Sequence, residues 1–118
     1  MKMTDHFNLN EFACKCGCGY DEIDLCLVQK LEAARKLYNS PMVITSGCRC
    51  HNHNNKIGGS KTSSHLKGVA VDIACKSSRD RIKMVECLLK SGFKRIGVAK
   101  TFVHVDVDPD KPHAMWLY

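Results

Sequence analysis

The sequence predicts an α+β domain, with a small antiparallel sheet and helices packed on one side. Three observations predict it. Residues 24–38, and a segment opening at Ser77 or Ser78, place apolar side chains at helical spacing. Residues 69–74 and 102–107 alternate with the period of two that marks a half-buried strand. Helices and strands follow one another with short connections, as they do when helices lie on one face of an antiparallel sheet.

The chain has 118 residues, the size of one domain. It reads as a single unit over 1–118, with a cysteine-rich N-terminal arm over 1–20. A composition of 44% hydrophobic and 25% charged residues excludes an intrinsically disordered chain. No stretch approaches the roughly 20 apolar residues that span a bilayer. Residues 1–10 lack the apolar core of a secretory signal, so the expectation is a monomer that accumulates in the cytoplasm of the producing cell. Eighteen Lys and Arg against twelve Asp and Glu leave a net charge of +6, which suits nucleic acid, an anionic cell wall or a membrane surface. Eight cysteines are the unusual feature, and fit a disulfide scaffold, a metal protein or a thiol-rich chain.

Taken in order, Leu27, Val28, Leu31, Ala34 and Tyr38 define the first helix, which Asn39-Ser40-Pro41 stops. Residues 42–46 form a short β-type run ended by Gly47. Residues 48–64, rich in His, Asn, Gly, Lys and Ser, read as a long functional loop. In residues 69–74, Val69, Val71 and Ile73 face one way and Ala70, Asp72 and Ala74 the other. The second helix carries Ile82, Val85, Leu88 and Leu89, with Met84 as a further core candidate, and Gly92 suits its end. Residues 95–99 and 102–107 are two strands joined by a tight Lys100-Thr101 turn. Val103, Val105 and Val107 form the apolar face of the second, which leaves Phe102, His104 and Asp106 together on the other.

Two of these segments carry the chemistry. Catalytic Zn²⁺ takes three protein ligands from His and Asp or Glu and keeps a fourth position open. His65 stands at the mouth of one strand, Asp72 lies on its non-valine face, and His104 lies on the corresponding face of another. Adjacent strands can bring the three to one point, and Gly68 and Ala70 leave room for close approach. Any one of these residues alone would read as an ordinary loop histidine or a solvated aspartate; the ordered set is far more specific.

The pattern S-x-H-x-x-G-x-A-x-D, here Ser63, His65, Gly68, Ala70 and Asp72, followed by His104, resembles the M15 zinc peptidases. These include D-Ala-D-Ala carboxypeptidases and dipeptidases and the L-Ala-D-Glu endopeptidases of phage endolysins, and they share a fold with the hedgehog signalling domain. Residues 12–19, 45–50 with His53-Asn54, and 102–107 with Trp116 resemble the small phage-type branch, so the likeness covers nearly the whole chain. It implies Zn²⁺ as cofactor, held by His65, Asp72 and His104, and peptidoglycan stem peptide as substrate. It implies a substrate-contacting role for Arg49 and a hydrogen-bonding role for Ser63, and release to the wall by a holin-like or virion route. One position departs from the pattern. Where many of these enzymes carry an acidic general base three residues before the last histidine, this chain has Thr101. Asp106, two residues beyond His104 on the same strand face, is the candidate base. Its alternative is to orient His104 through the other ring nitrogen. The missing acid also leaves room for a non-catalytic zinc-binding module.

Other features read less sharply. His51-Asn52-His53 spells a nuclease motif but sits in a loop with no helix expected after it; His53 is a candidate for the substrate groove. Cys14, Cys16, Cys18, Cys48 and Cys50 invite a nucleic-acid-binding zinc module, against which stand their C-x-C spacings and the lack of a basic, aromatic-laced helix, so no nucleic-acid partner is expected. They are candidates to pin the arm to the loop as disulfides, as a second metal site or as free thiols. Cys26 and Cys87 read as small core residues, Cys75 has no assignment, and Trp116 is a packing clamp or a groove wall.

Overall fold

The Asp24 carboxylate accepts the Leu27 N–H at 2.9 Å and so satisfies a free donor of the first helical turn. In the computed structural model, which describes residues 1–118, helix α1 then runs over Leu25–Tyr38. Its buried face is Leu27, Val28, Leu31, Ala34 and Tyr38, as the spacing predicts. Burying each of the larger side chains contributes about 1.5–3 kcal/mol relative to exposure. Asn39 ends the helix in the left-handed region at φ 55°, with its N–H on the Arg35 carbonyl.

Ser77 caps the last helix, α3 (Ser78–Lys90), by accepting the Asp80 N–H at 3.1 Å. The buried face of α3 matches the expected stripe in part. It consists of Met84, Cys87 and Leu88, while Ile82 is 72% exposed and Leu89 48% exposed. The helix packs on α1 and contributes Met84 and Leu88 to the core, and a residue two positions from Met84 lies about 200° around the axis. Cys87 is buried as expected, whereas Cys26 is exposed, one position out of phase with Leu27. Between these helices, the 48–64 stretch holds a short helix, α2 (His51–Lys56), where an open loop was expected.

Five strands form one sheet: β1 (Ile44–Ser46), β2 (Ala70–Ala74), β3 (Arg95–Val98), β4 (Phe102–Asp106) and β5 (Ala114–Leu117), in the order β1-β2-β4-β3-β5. The first four pair antiparallel, as predicted. β5 adds to β3 in parallel, so the sheet is mixed at one edge. β3 and β4 form the expected hairpin, closed by the Ala99 N–H on the Phe102 carbonyl at 3.0 Å.

Register then places the functional residues. β2 pairs with β4 so that Asp72 faces His104 directly, flanked by Val71 opposite Val105 and Ile73 opposite Val103. The four apolar side chains join Ile96, Leu27, Leu31, Met84, Leu88 and Phe93 in one hydrophobic cluster. Pleating sends Asp72 and His104 to the face away from that cluster. The N-terminal arm is part of the same core: Phe7 and Phe12 are buried, with ring centroids 5.7 Å apart. No helix is long and apolar enough to cross a membrane.

Candidate active site

His65 sits in a 3₁₀ turn, Ser64–Lys67, that leads into β2. Ser63 Oγ accepts the His65 N–H at 3.2 Å and fixes the start of the turn. Gly68 ends it at φ 71°. His65 Nδ1 lies 2.7 Å from the Gly47 carbonyl oxygen, so Nδ1 carries the proton and Nε2 is the free lone pair. That Nε2 lies 3.2 Å from Asp72 Oδ1, and His104 Nδ1 lies 2.9 Å from the same oxygen. All three side chains are buried.

Around this set the polar groups are paired. Arg49 donates from Nη2 to Asp72 Oδ2 at 3.3 Å, from Nε to Ser46 Oγ at 3.0 Å and from Nη1 to Asn54 Oδ1 at 3.3 Å. His104 Nε2 lies 2.7 Å from Asp106 Oδ2. Asp106 Oδ1 accepts from Arg95 Nε at 2.7 Å and from the Asp108 N–H at 3.1 Å. Asp108 in turn accepts from Ser64 Oγ at 2.7 Å and from Lys67 Nζ at 3.1 Å.

The electrostatics follow from these contacts. Burial pushes the Asp72 carboxyl up, but the neighbouring His104 and His65 rings outweigh it and hold the group below the usual carboxylate range. Burial also opposes ionisation of Asp106, and His104, the Asp108 N–H and Arg95 more than reverse it, leaving Asp106 lowered. Burial lowers His104, while Asp106 and Asp72 raise it by more.

The set forms the floor of a pocket of about 300 Å³. Arg49, Arg95 and Lys111 supply positive charge to the lining, and Phe102, Trp116 and Tyr118 supply ring surface. Trp116 lies tilted against His104, with centroids 5.4 Å apart, and the Arg95 guanidinium lies 4.8 Å from the Trp116 ring centre. Of the two roles open for Trp116, it takes a place in the pocket wall. A Cβ at Gly97 would come within 2.5 Å of Trp116 Nε1, so the bare glycine lets β5 side chains lie across β3.

The sequence-based candidates distribute as follows. His65, Asp72, His104, Asp106, Arg49 and Ser63 all line this pocket. His53 does not; it belongs to α2, where the neighbouring Asn54 takes the inward position and His53 is turned about 100° away. Thr101 lies exposed at the β3–β4 turn, outside the pocket lining. Neither His51 nor His53 joins a cluster of metal-competent side chains. Arg95, Lys111 and Tyr118 were not singled out by sequence. For Arg95 the available signal was its place at the start of the strand that pairs with the His104 strand.

The donor set fits a zinc ion. His65 Nε2, Asp72 and His104 Nδ1 offer atoms within 4.8 Å of one another. A tetrahedral ion with bonds of about 2.0–2.1 Å separates its ligand atoms by about 3.3–3.4 Å, close to the 3.2 and 2.9 Å found to Asp72 Oδ1. Each histidine also gives its second nitrogen to an oxygen, as metal-ligating histidines do.

A buried His–Asp–His set under a basic pocket is the arrangement of a metal-dependent hydrolase. The chain matches the peptidase M15 family over residues 5–108 and belongs to that family. No curated protein matches it. The β5 residues that wall the pocket lie beyond the matched segment.

Proposed function

We propose that this protein is a zinc peptidase that hydrolyses an amide bond in peptidoglycan stem peptides. One observation carries the reading: Asp72 Oδ1 lies between His65 Nε2 at 3.2 Å and His104 Nδ1 at 2.9 Å, on the floor of a pocket that Arg49 overhangs. Zn²⁺ held by His65, Asp72 and His104 supplies Lewis acidity toward the scissile carbonyl. The protein's own groups do the rest. Arg49 presents a planar fork of donors to a carboxylate or carbonyl oxygen of the substrate. Arg95 and Lys111 extend the positive lining, which suits stem peptides with free carboxylates. Phe102, Trp116 and Tyr118 exclude water from one side of the peptide.

Asp106 is assigned to positioning. Its two oxygens are taken by His104 Nε2, Arg95 Nε and the Asp108 N–H, and it is 2% exposed. A carboxylate so occupied holds the tautomer and orientation of the histidine.

Purified peptidoglycan digested with the zinc-loaded protein and resolved by mass spectrometry tests the reading. Stem-peptide fragments with one defined bond cut are expected, absent in His65→Ala. Intact peptidoglycan in the presence of fully metallated protein would overturn it.

A further inference from the structure

Four of the eight cysteines meet on the side of the molecule where the N-terminal arm crosses the turn before α2. Their sulfurs, from Cys14, Cys16, Cys18 and Cys50, all lie within 4.8 Å of one another. We propose that these four cysteines bind one Zn²⁺ as a tetrathiolate site that clips the N-terminal arm to the segment carrying Arg49.

The spacing of the sulfurs is that of thiolates around a shared ion. Cys14 Sγ and Cys16 Sγ are 3.4 Å apart, and Cys16 Sγ and Cys50 Sγ 3.7 Å apart. A tetrahedral zinc with Zn–S bonds of about 2.3 Å sets its sulfurs about 3.8 Å from one another. Four sulfur ligands and no other donor select a soft, tetrahedral ion, for which zinc is the redox-inert choice.

The backbone is built for this convergence. Consecutive C-x-C spacings are poor chelators on an ordinary extended chain. Here Gly17 and Gly19 adopt φ of 83° and 93°, and a Cβ at either would meet nothing within 4 Å. Packing does not demand glycine there; the turn does. The Gly17 N–H reaches the Cys14 carbonyl at 3.2 Å, and the Cys14 N–H reaches the Tyr20 carbonyl at 2.8 Å. The loop thereby folds back and aims three sulfurs at Cys50. Two backbone donors also point at the sulfurs: the Cys50 N–H lies 3.4 Å from Cys14 Sγ, and the His53 N–H lies 3.4 Å from Cys50 Sγ. Such N–H groups stabilise the negative charge that thiolate ligands carry.

The cluster is selective among the cysteines. Cys48, a sequence-based candidate for it, is buried and outside it, because its N–H is drawn to the Phe12 carbonyl at 2.8 Å. Cys75 and Cys87 are buried elsewhere, and Cys26 is exposed on α1. Binding forms four Zn–S bonds and releases one proton from each thiol to solvent, with no change of oxidation state. The consequence for the pocket is mechanical. Arg49 precedes Cys50 directly, so an ion on Cys50 holds the backbone from which Arg49 reaches Asp72.

Cobalt(II) substitution tests this without reference to activity. Full-length reduced protein, stripped of metal and titrated with Co²⁺, is expected to develop a thiolate-to-cobalt charge-transfer band. The His65→Ala variant keeps that band, which separates this site from the one on His65, Asp72 and His104. The Cys16→Ser/Cys18→Ser variant, altered at two exposed positions, loses the band. Elemental analysis of the protein as isolated is expected to find zinc bound to His65→Ala at one equivalent. No thiolate band in the wild type would overturn the assignment. So would a band that survives the double substitution, a disulfide among these four cysteines in the isolated protein, or iron in place of zinc.

Discussion

His104 Nε2 lies 2.7 Å from Asp106 Oδ2, two residues further along the same strand. The strand period puts the two side chains on one face, so the carboxylate that meets the histidine is supplied by the same element. Replacement of Asp106 by Asn keeps the volume and removes the charge. Zinc affinity at the His65 site is expected to fall about 10- to 100-fold, measured by competition with a chromogenic chelator. Unchanged affinity combined with a collapse of turnover would assign Asp106 to proton transfer instead.

Arg49 is held by Asp72, Ser46 and Asn54, with its side chain 12% exposed at the pocket. Lysine carries the same charge but cannot reproduce the fork. Arg49→Lys is expected to lower kcat/KM on stem peptide by about 10²-fold, with zinc content unchanged by elemental analysis. Equal kcat/KM in the two proteins would remove Arg49 from substrate recognition.

Trp116 is the only tryptophan, so its emission reports the pocket wall directly. In Gly97→Val the new side chain occupies space within 2.5 Å of the Trp116 ring nitrogen and must displace it. A red-shifted emission is expected, with KM raised about tenfold, or ~1.4 kcal/mol, and kcat little changed. Emission identical to wild type would show that β5 does not lie across Gly97 in solution.

Asp108 gives a pH dependence of stability. Burial pushes its carboxyl up, but the Ser64 hydroxyl, the Asp110 N–H and Lys67 pull it down further, to about 2. A depressed carboxylate contributes stability that is present above its unfolded value near 4 and lost as pH falls through the folded one. In urea unfolding, the advantage of wild type over Asp108→Asn is therefore expected to hold at pH 6 and to shrink between about pH 4 and 2. A difference independent of pH would mean that Asp108 acts through its shape and not its charge.

Much of this was readable from sequence, for identifiable reasons. Helix α1 was legible because one face serves one core, so the 3.6-residue period of Leu27, Leu31 and Tyr38 is undisturbed. Asp72 and His104 were legible because alternation along β2 and β4 assigns each to a face, and His65 because it stands at a fixed spacing ahead of β2. α3 was legible in part: Met84, Cys87 and Leu88 are buried as expected, but Ile82 and Leu89, which have a helical spacing, lie on its exposed side. Arg95 was missed because a charge opening a strand looks like surface until the β3–β4 pairing brings it to Asp106. β5 was missed because Ala114 to Leu117 lie at an exposed sheet edge and carry no alternation of polar and apolar residues. Cys50 could not be separated from Cys48 without the fold that buries one and brings the other to the arm.

β5 joins the sheet only through its parallel pairing with β3, at the outer edge and after the strands that carry Asp72 and His104. The wall bearing Trp116 is therefore a detachable module, and the floor bearing His65, Asp72 and His104 is a chassis. Substitutions in residues 114–118 can reshape what the pocket admits while the β2–β4 register stays intact. Directed evolution of selectivity in this protein has a natural starting segment that is short, contiguous and free of every residue assigned to the metal.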